Sequence, residues 1–343
     1  MTPPTPSRAA LPDPTLPEPA LPEPAPPEPA PPEPAPPEPA PPEPAPSEPG
    51  LRCAPAAQRR ADPLYATAPP AQRWLLIETP TPWPRQALTA LTTPPETGGG
   101  LSLGGEVARR CASADIRPVL IKRHGRQDRS TGRRWALVDS RPGRESIRWG
   151  DLPTDDHLLK VLDGTDPGTL STEPIYLVCT HGRHDACCAI QGRPAAAALA
   201  AAFPDRTWEC SHIGGDRFAA NLVFLPHSLF YGHVPTAEAV TLATRYNEGF
   251  VVPKYLRGSG AHPPAVQAAQ HFAREAGASL AVDALRPTHL SRPTPTAWQI
   301  HLTADATSYA VGLTTTTTTI NARMTCNAHP PGHLTTYTLS SLE

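Results

Sequence analysis

The sequence predicts an α/β protein of two lobes, with a β-rich C-terminal segment and a disordered proline-rich N-terminal arm held outside any core. Three observations predict it. Apolar runs of strand length alternate with helix-like stretches between residues 74 and 276, the order expected when helices cover a sheet. From Trp298 onward the chain is threonine-rich and alternating, as an antiparallel meander requires. Residues 11–50 are eight proline pentads, a pattern that excludes helix and sheet alike. The divisions that follow are 1–50, 51–165, 166–290 and 291–343.

The arm reads LPDPT, LPEPA twice, PPEPA four times and PSEPG. Proline removes amide donors and each acid keeps its pentad solvated, so the arm is expected to be disordered or polyproline II. It is expected to be a solvated tether, or an extension of little consequence, ahead of a ligand for a proline-reading partner. Its eight acids against Arg8 give −7, so the formal −2 of the chain conceals +5 on residues 51–343, from 29 Arg and Lys minus 24 Asp and Glu. A balance this close to neutral argues against nucleic acid as the partner of the whole chain. The longest apolar stretch, Ala195 to Phe203, is far shorter than the roughly 20 residues that cross a bilayer. The first residues lack the basic and apolar segments of a signal peptide. A cytoplasmic location is therefore expected, with seven cysteines held as thiols or metal ligands and not as a disulfide framework.

In the first lobe, Trp74 to Glu78, Ile116 to Lys122 and Trp135 to Asp139 read as strands, and Leu101 to Ala114 as a helix. The turn at Gly98 to Gly100 is a connection. GGGLSLGGE has no Lys followed by Ser or Thr to grip a phosphate. Ten bases against three acids between Arg117 and Arg148 suggest a solvated β-loop, and, without interleaved aromatics, an acidic partner before a nucleic acid. After a helix ending near Gly164, Ile175 to Cys179 is a buried-strand pattern that delivers a thiol to its C-terminal end, where α/β sites usually sit. Gly192-Arg193-Pro194 is expected to open an alanine-rich helix, with proline at the first position. Trp208 to His212 and Leu222 to Leu225 read as strands, Thr236 to Asn247 and Pro264 to Ala276 as helices. In the tail, Tyr309 to Leu313 and Ile320 to Cys326 read as strands and Thr314 to Thr319 as an edge strand.

Cys179, Cys187, Cys188 and Cys210 fall within 32 positions that also hold His181, His184 and His212. Thiolate and imidazole are the donors that borderline metals and iron–sulfur clusters select, so this density is a metal-site signal. No zinc-ribbon pair of CxxC motifs accompanies it, which leaves zinc as the alternative ion. In CSHIGGDRFAAN, Gly214 and Gly215 permit positive φ and close backbone approach, so the loop can aim His212 and Asp216 to one side. Cys53 and Cys111 read as ordinary packed thiols.

The texts RWLLIETPTPWPRQAL, CTHGRHDACCAIQGRP, WECSHIGGDRFAANLVFLPHSLFYGHV and RMTCNA resemble the sucrase/ferredoxin-like family over most of residues 53–330. The resemblance implies thioredoxin-like lobes carrying a [2Fe–2S] cluster. Cys179 and Cys187, or its neighbour Cys188, would supply one pair of ligands, and His212 would begin the second. In members with two histidines the position four after the first is another imidazole, whereas here it is Asp216. The fourth ligand is then Asp216, Cys188, Cys210 or Cys326. The implied role is a redox carrier or sensor working with a partner protein, more than a catalyst. A metal-free thiol–disulfide protein using Cys187 and Cys188, or a structural zinc module, are the competing readings.

Overall fold

In this computed structural model the described residues are 51–80, 82–92, 102–125 and 132–343. The pentad arm, the Gly98 to Gly100 turn, and Arg126, Asp128 and Arg129 of the basic stretch lie outside them.

After a short helix α1 (Cys53–Arg59), the chain lays down β1 (Arg73–Glu78), α2 (Leu103–Ser113), β2 (Arg117–Lys122), β3 (Arg134–Asp139) and β4 (Ser146–Asp151). The Ser102 side chain caps α2 by accepting from the Gly105 amide, and Val107 and Cys111 turn its apolar side to the sheet. Helix α3 (Leu158–Leu162) and β5 (Thr169–Ser171) complete this half. The second half runs β6 (Ile175–Cys179), α4 (Ala186–Ala202), β7 (Thr207–Cys210), β8 (Leu222–Leu225), β9 (Leu229–Tyr231), α5 (Ala239–Asn247), β10 (Leu256–Ser259) and α6 (Pro264–Glu275).

All ten strands form one sheet, in the order β10-β9-β8-β6-β7-β2-β1-β3-β4-β5. β1 is parallel to β2 and antiparallel to β3, which is antiparallel to β4. β6 is likewise parallel to β7 and antiparallel to β8, which is antiparallel to β9. Both parallel pairs are bridged by a helix, as parallel neighbours require. The two sets meet at an antiparallel seam with two register pairs, Ile121 with Cys210 and Lys122 with Glu209.

The sheet is strongly curled. Trp149 on β4 and Trp208 on β7 are four strands apart, roughly 19 Å across a flat sheet, yet their rings stack at 5.4 Å. Trp74 and Phe230, five strands apart, approach to 5.9 Å. One face thus closes on itself around Leu76, Val119, Ile121, Leu177, Cys179, Cys210 and Val223. The opposite face is covered by α2 and α3 in the first half and by α4 and α5 in the second. A second sheet follows, β11 (Arg286–Ser291), β12 (Ala297–Ala304), β13 (Thr307–Ile320) and β14 (Gly332–Leu342), antiparallel in that order. It packs Ile300, Leu302, Val311 and Leu313 against α6.

Three expectations change. The alanine-rich helix starts at Ala186, eight residues before Pro194, because Asp185 caps it by accepting from the Cys187 amide at 2.8 Å. Pro194 therefore sits inside the helix. The threonine run is the second half of β13, paired with His333 to Thr338 of β14, and not a separate strand. Ile320 ends β13, so Cys326 lies on the β13–β14 connection.

Candidate metal centre

Two loops at the seam build the site. The first leaves β6 at Cys179, makes a tight turn in which the His184 and Asp185 amides donate to the His181 carbonyl, and enters α4. Helix α4 can lie this close to β6 only because of Gly192, where a Cβ would stand 2.1 Å from the Cys179 carbonyl oxygen. The second loop leaves β7 at Cys210 and passes Gly214 and Gly215, with φ of 94° and 82°. A Cβ on Gly215 would fall 2.5 Å from the guanidinium of Arg257. That buried side chain donates to the carbonyls of Gly214 (2.9 Å) and Thr67 (2.5 Å) and to Asn221 Oδ1 (2.8 Å), while Asn221 Nδ2 donates to the Gly215 carbonyl at 2.8 Å. The glycine pair thus wraps an arginine of β10, which locks the loop that carries His212 and Asp216.

The sulfurs of Cys179 and Cys188 and a ring nitrogen of His212 all lie within 4.8 Å of one another, as do donor atoms of His184, His212 and Asp216. The Cys188 thiol donates to Asp216 Oδ1 at 3.1 Å. His184 Nε2 is 3.5 Å from Asp216 Oδ2, and the His184 and His212 rings stack at 3.7 Å. His212 Nδ1, 2.9 Å from Asp216 Oδ1, is buried without the geometry of a hydrogen bond. The thiol of Cys188 and, against burial, His212 hold Cys179 well below the usual thiol range. Its hydrogen bond to Cys179, then burial, push Cys188 up. Burial works against the His212 imidazolium, but Asp216 and Cys179 outweigh it and raise His212 to about 9. Burial would raise Asp216, but His184 and His212 hold it well below the carboxylate range. Two sulfurs, an imidazole and a carboxylate are donors that suit a soft or borderline metal group.

The other expected ligands lie elsewhere. Cys210 is the register partner of Cys179 in the ladder, fully buried, with its thiol pushed up by burial; it belongs to no metal-capable group among the described residues. Cys187, one residue and about 100° of helix from Cys188, faces away, into a group with Cys53, Cys326 and Asp185. Cys53 is therefore not the isolated packing thiol its sequence context suggests. Cys111 is, buried among Val107, Ile116 and Leu120. His181 has both ring nitrogens engaged: Nε2 with the Pro84 carbonyl at 2.8 Å, and Nδ1 accepting from the His212 amide at 3.3 Å. It orients the second loop and is spent as a ligand. His184 was legible only as one histidine of a crowded window; the turn after β6 is what brings it over Asp216.

A buried sulfur, nitrogen and carboxylate set, held by two loops at the edge-to-edge seam of a curled α/β sheet, defines a protein with a metal-capable centre. The sucrase/ferredoxin-like family model matches residues 64–258, more than half of the chain and both loops, and the chain belongs to that family. Comparison with curated proteins and with solved structures found no significant match.

Proposed function

We propose that the protein is an electron carrier or redox sensor that binds a [2Fe–2S] cluster through Cys179, Cys188, His212 and Asp216. The observation that carries this reading is the convergence of the buried Cys179 and Cys188 sulfurs with the part-buried His212 inside 4.8 Å, next to the buried Asp216. The reading extends to the fold. The repeated order of four strands, each set with one helix-bridged parallel pair, supports two thioredoxin-like lobes spanning about residues 51–165 and 166–290, with the second bearing the cluster.

When bound, the cluster supplies a one-electron couple. The chain's part is to set charge and access. Cys179 and Cys188 contribute two thiolates, His212 a neutral imidazole, and Asp216 one further negative charge, so the ligand shell lies between an all-cysteine and a two-histidine set. His184, part exposed and stacked on His212, sets its Nε2 3.5 Å from the Asp216 carboxylate and so covers the second loop's donors. The buried Ile213, Trp83 and Phe218 keep water from the neighbouring loops. A partner protein would meet this edge; a cytoplasmic setting, an acidic partner at the basic β2–β4 stretch and a binding role for the proline arm belong to the same proposal.

Anaerobically purified protein is expected to be brown, to hold iron and acid-labile sulfide in equal amounts, and to bleach on reduction. Cys188→Ala should lose both, and Cys210→Ala should keep both. Zinc without a visible band in the wild type would replace this reading by the structural module. Absence of metal with rapidly titrating thiols would replace it by the thiol–disulfide protein, a reading weakened by the opposite facing of Cys187 and Cys188.

A further inference from the structure

Cys53, Cys187 and Cys326 come from three segments separated by more than a hundred residues each, yet they meet in one place. The Cys326 thiol lies 3.5 Å from the Cys53 sulfur, and Cys187 and Cys326 are also 3.5 Å apart. The Asp185 carboxylate stands over all three. Both of its oxygens are 3.7 Å from the Cys53 sulfur, and it accepts from the backbone amides of Cys187 (2.8 Å) and Cys326 (2.6 Å). Ala54 and Ala219 wall the group, and Cys53 and Cys187 are buried.

We propose that these three cysteines, closed by Asp185, are a second metal site that holds a single Zn2+ ion and ties α1 and the β13–β14 connection to the start of α4. The spacing supports one ion. Tetrahedral zinc with bonds of about 2.3 Å sets its sulfurs roughly 3.8 Å apart, close to the separations here and far from the roughly 2.0 Å of a disulfide. The donors support zinc in particular, because three sulfurs with one carboxylate oxygen suit a borderline ion better than a strictly soft one. Binding is a ligand exchange without electron transfer. The metal binds the three cysteines as thiolates, and the protons it displaces leave to solvent. The site shares no donor with the first centre, since Cys187 and Cys188 divide between the two.

The test is metal analysis of the full-length chain, purified without air, for zinc and iron separately. One zinc per chain is expected, and Cys53→Ala and Cys326→Ser should each lose it while the iron content and visible band persist. The zinc site and the iron reading therefore stand or fall independently: a protein without iron that loses zinc on Cys53→Ala keeps this site and discards the cluster. If either variant is unfolded by circular dichroism, the wild type supplies the readout. Cys326, the one partly exposed member, should resist alkylation until a chelator is added. Four results would overturn the proposal. They are no zinc as purified and none taken up from a Zn2+ titration against a chromophoric chelator; a disulfide among the three cysteines in the peptide map; zinc retained at full stoichiometry in the variants; and Cys326 alkylated equally fast with and without chelator.

Discussion

Replacing Gly192 by alanine sets two effects of opposite sign against each other. In an isolated helix the change is favourable by about 1 kcal/mol, because glycine loses more backbone entropy on folding. Here the added Cβ would sit 2.1 Å from the Cys179 carbonyl oxygen, 3.1 Å from its carbon and 3.5 Å from Thr180 Cγ2. Ordinary contact needs about 3.4 Å, so α4 must retreat from β6 by more than 1 Å, or the strand end must bend. Overpacking of a close interface costs about 1–3 kcal/mol and sometimes more. The obstacle is backbone, which cannot rotate aside, so the upper part of that range applies. A net loss of about 1–2 kcal/mol is expected. The same retreat moves Cys188 away from Cys179, so bound metal should fall together with stability. Urea unfolding followed by tryptophan fluorescence, with metal content measured on the same samples, checks both. An alanine variant as stable as the wild type, or more so, would show that helix propensity wins and that α4 does not depend on this approach.

Asp216→His removes one negative charge from the first centre. Two such replacements separate the about −400 mV of all-cysteine [2Fe–2S] sites from the about −150 to +300 mV of two-histidine sites, so potentiometry should show a rise of roughly 125–350 mV; an unchanged potential would take Asp216 out of the ligand shell. Arg257→Lys keeps the charge but forfeits a fork that serves Thr67, Gly214 and Asn221. With two buried acceptors left unpaired, about 2–4 kcal/mol of stability should be lost, and a loss below about 1 kcal/mol would mean that the glycine turn holds without it. Burial, with Arg274 adding to it, lowers His262 to about 4. The folded state therefore prefers the neutral ring, and its contribution is complete above pH 6.5 and lost as pH falls from 6.5 towards 4, up to about 3 kcal/mol. His262→Asn should flatten the stability profile in that window relative to the wild type, and parallel profiles would refute the assignment.

Six strands of the large sheet, β1, β2, β3, β6, β7 and β8, were legible because they are largely buried and read as apolar text: Ile175 to Cys179 and Leu222 to Leu225 fall where the sequence puts them, whereas the part-exposed β4 and β5 and the short β9 and β10 carry no such run. The glycine pair was legible too, since positive φ has few other solutions; the arginine it encloses was not, because Arg257 lies more than forty residues away. The start of helix α4 follows from Asp185 and not from Pro194: a capping aspartate stands two residues before Cys187, and a helix begun there separates Cys187 from Cys188 by about 100°. Nothing near Cys53 or Cys326 could have joined them, because only the packing of α1 and the β13–β14 connection against α4 brings those thiols together.

The two cysteine groups also differ in when a growing polypeptide can finish them. Every donor of the first has left the ribosome once Asp216 has emerged, whereas Cys53 and Cys187 must wait for a further 110 residues before Cys326 exists. During that interval they are reduced thiols without their third companion, and an oxidant reaching the nascent protein then would trap the amino-terminal helix before the threonine hairpin has arrived to meet it.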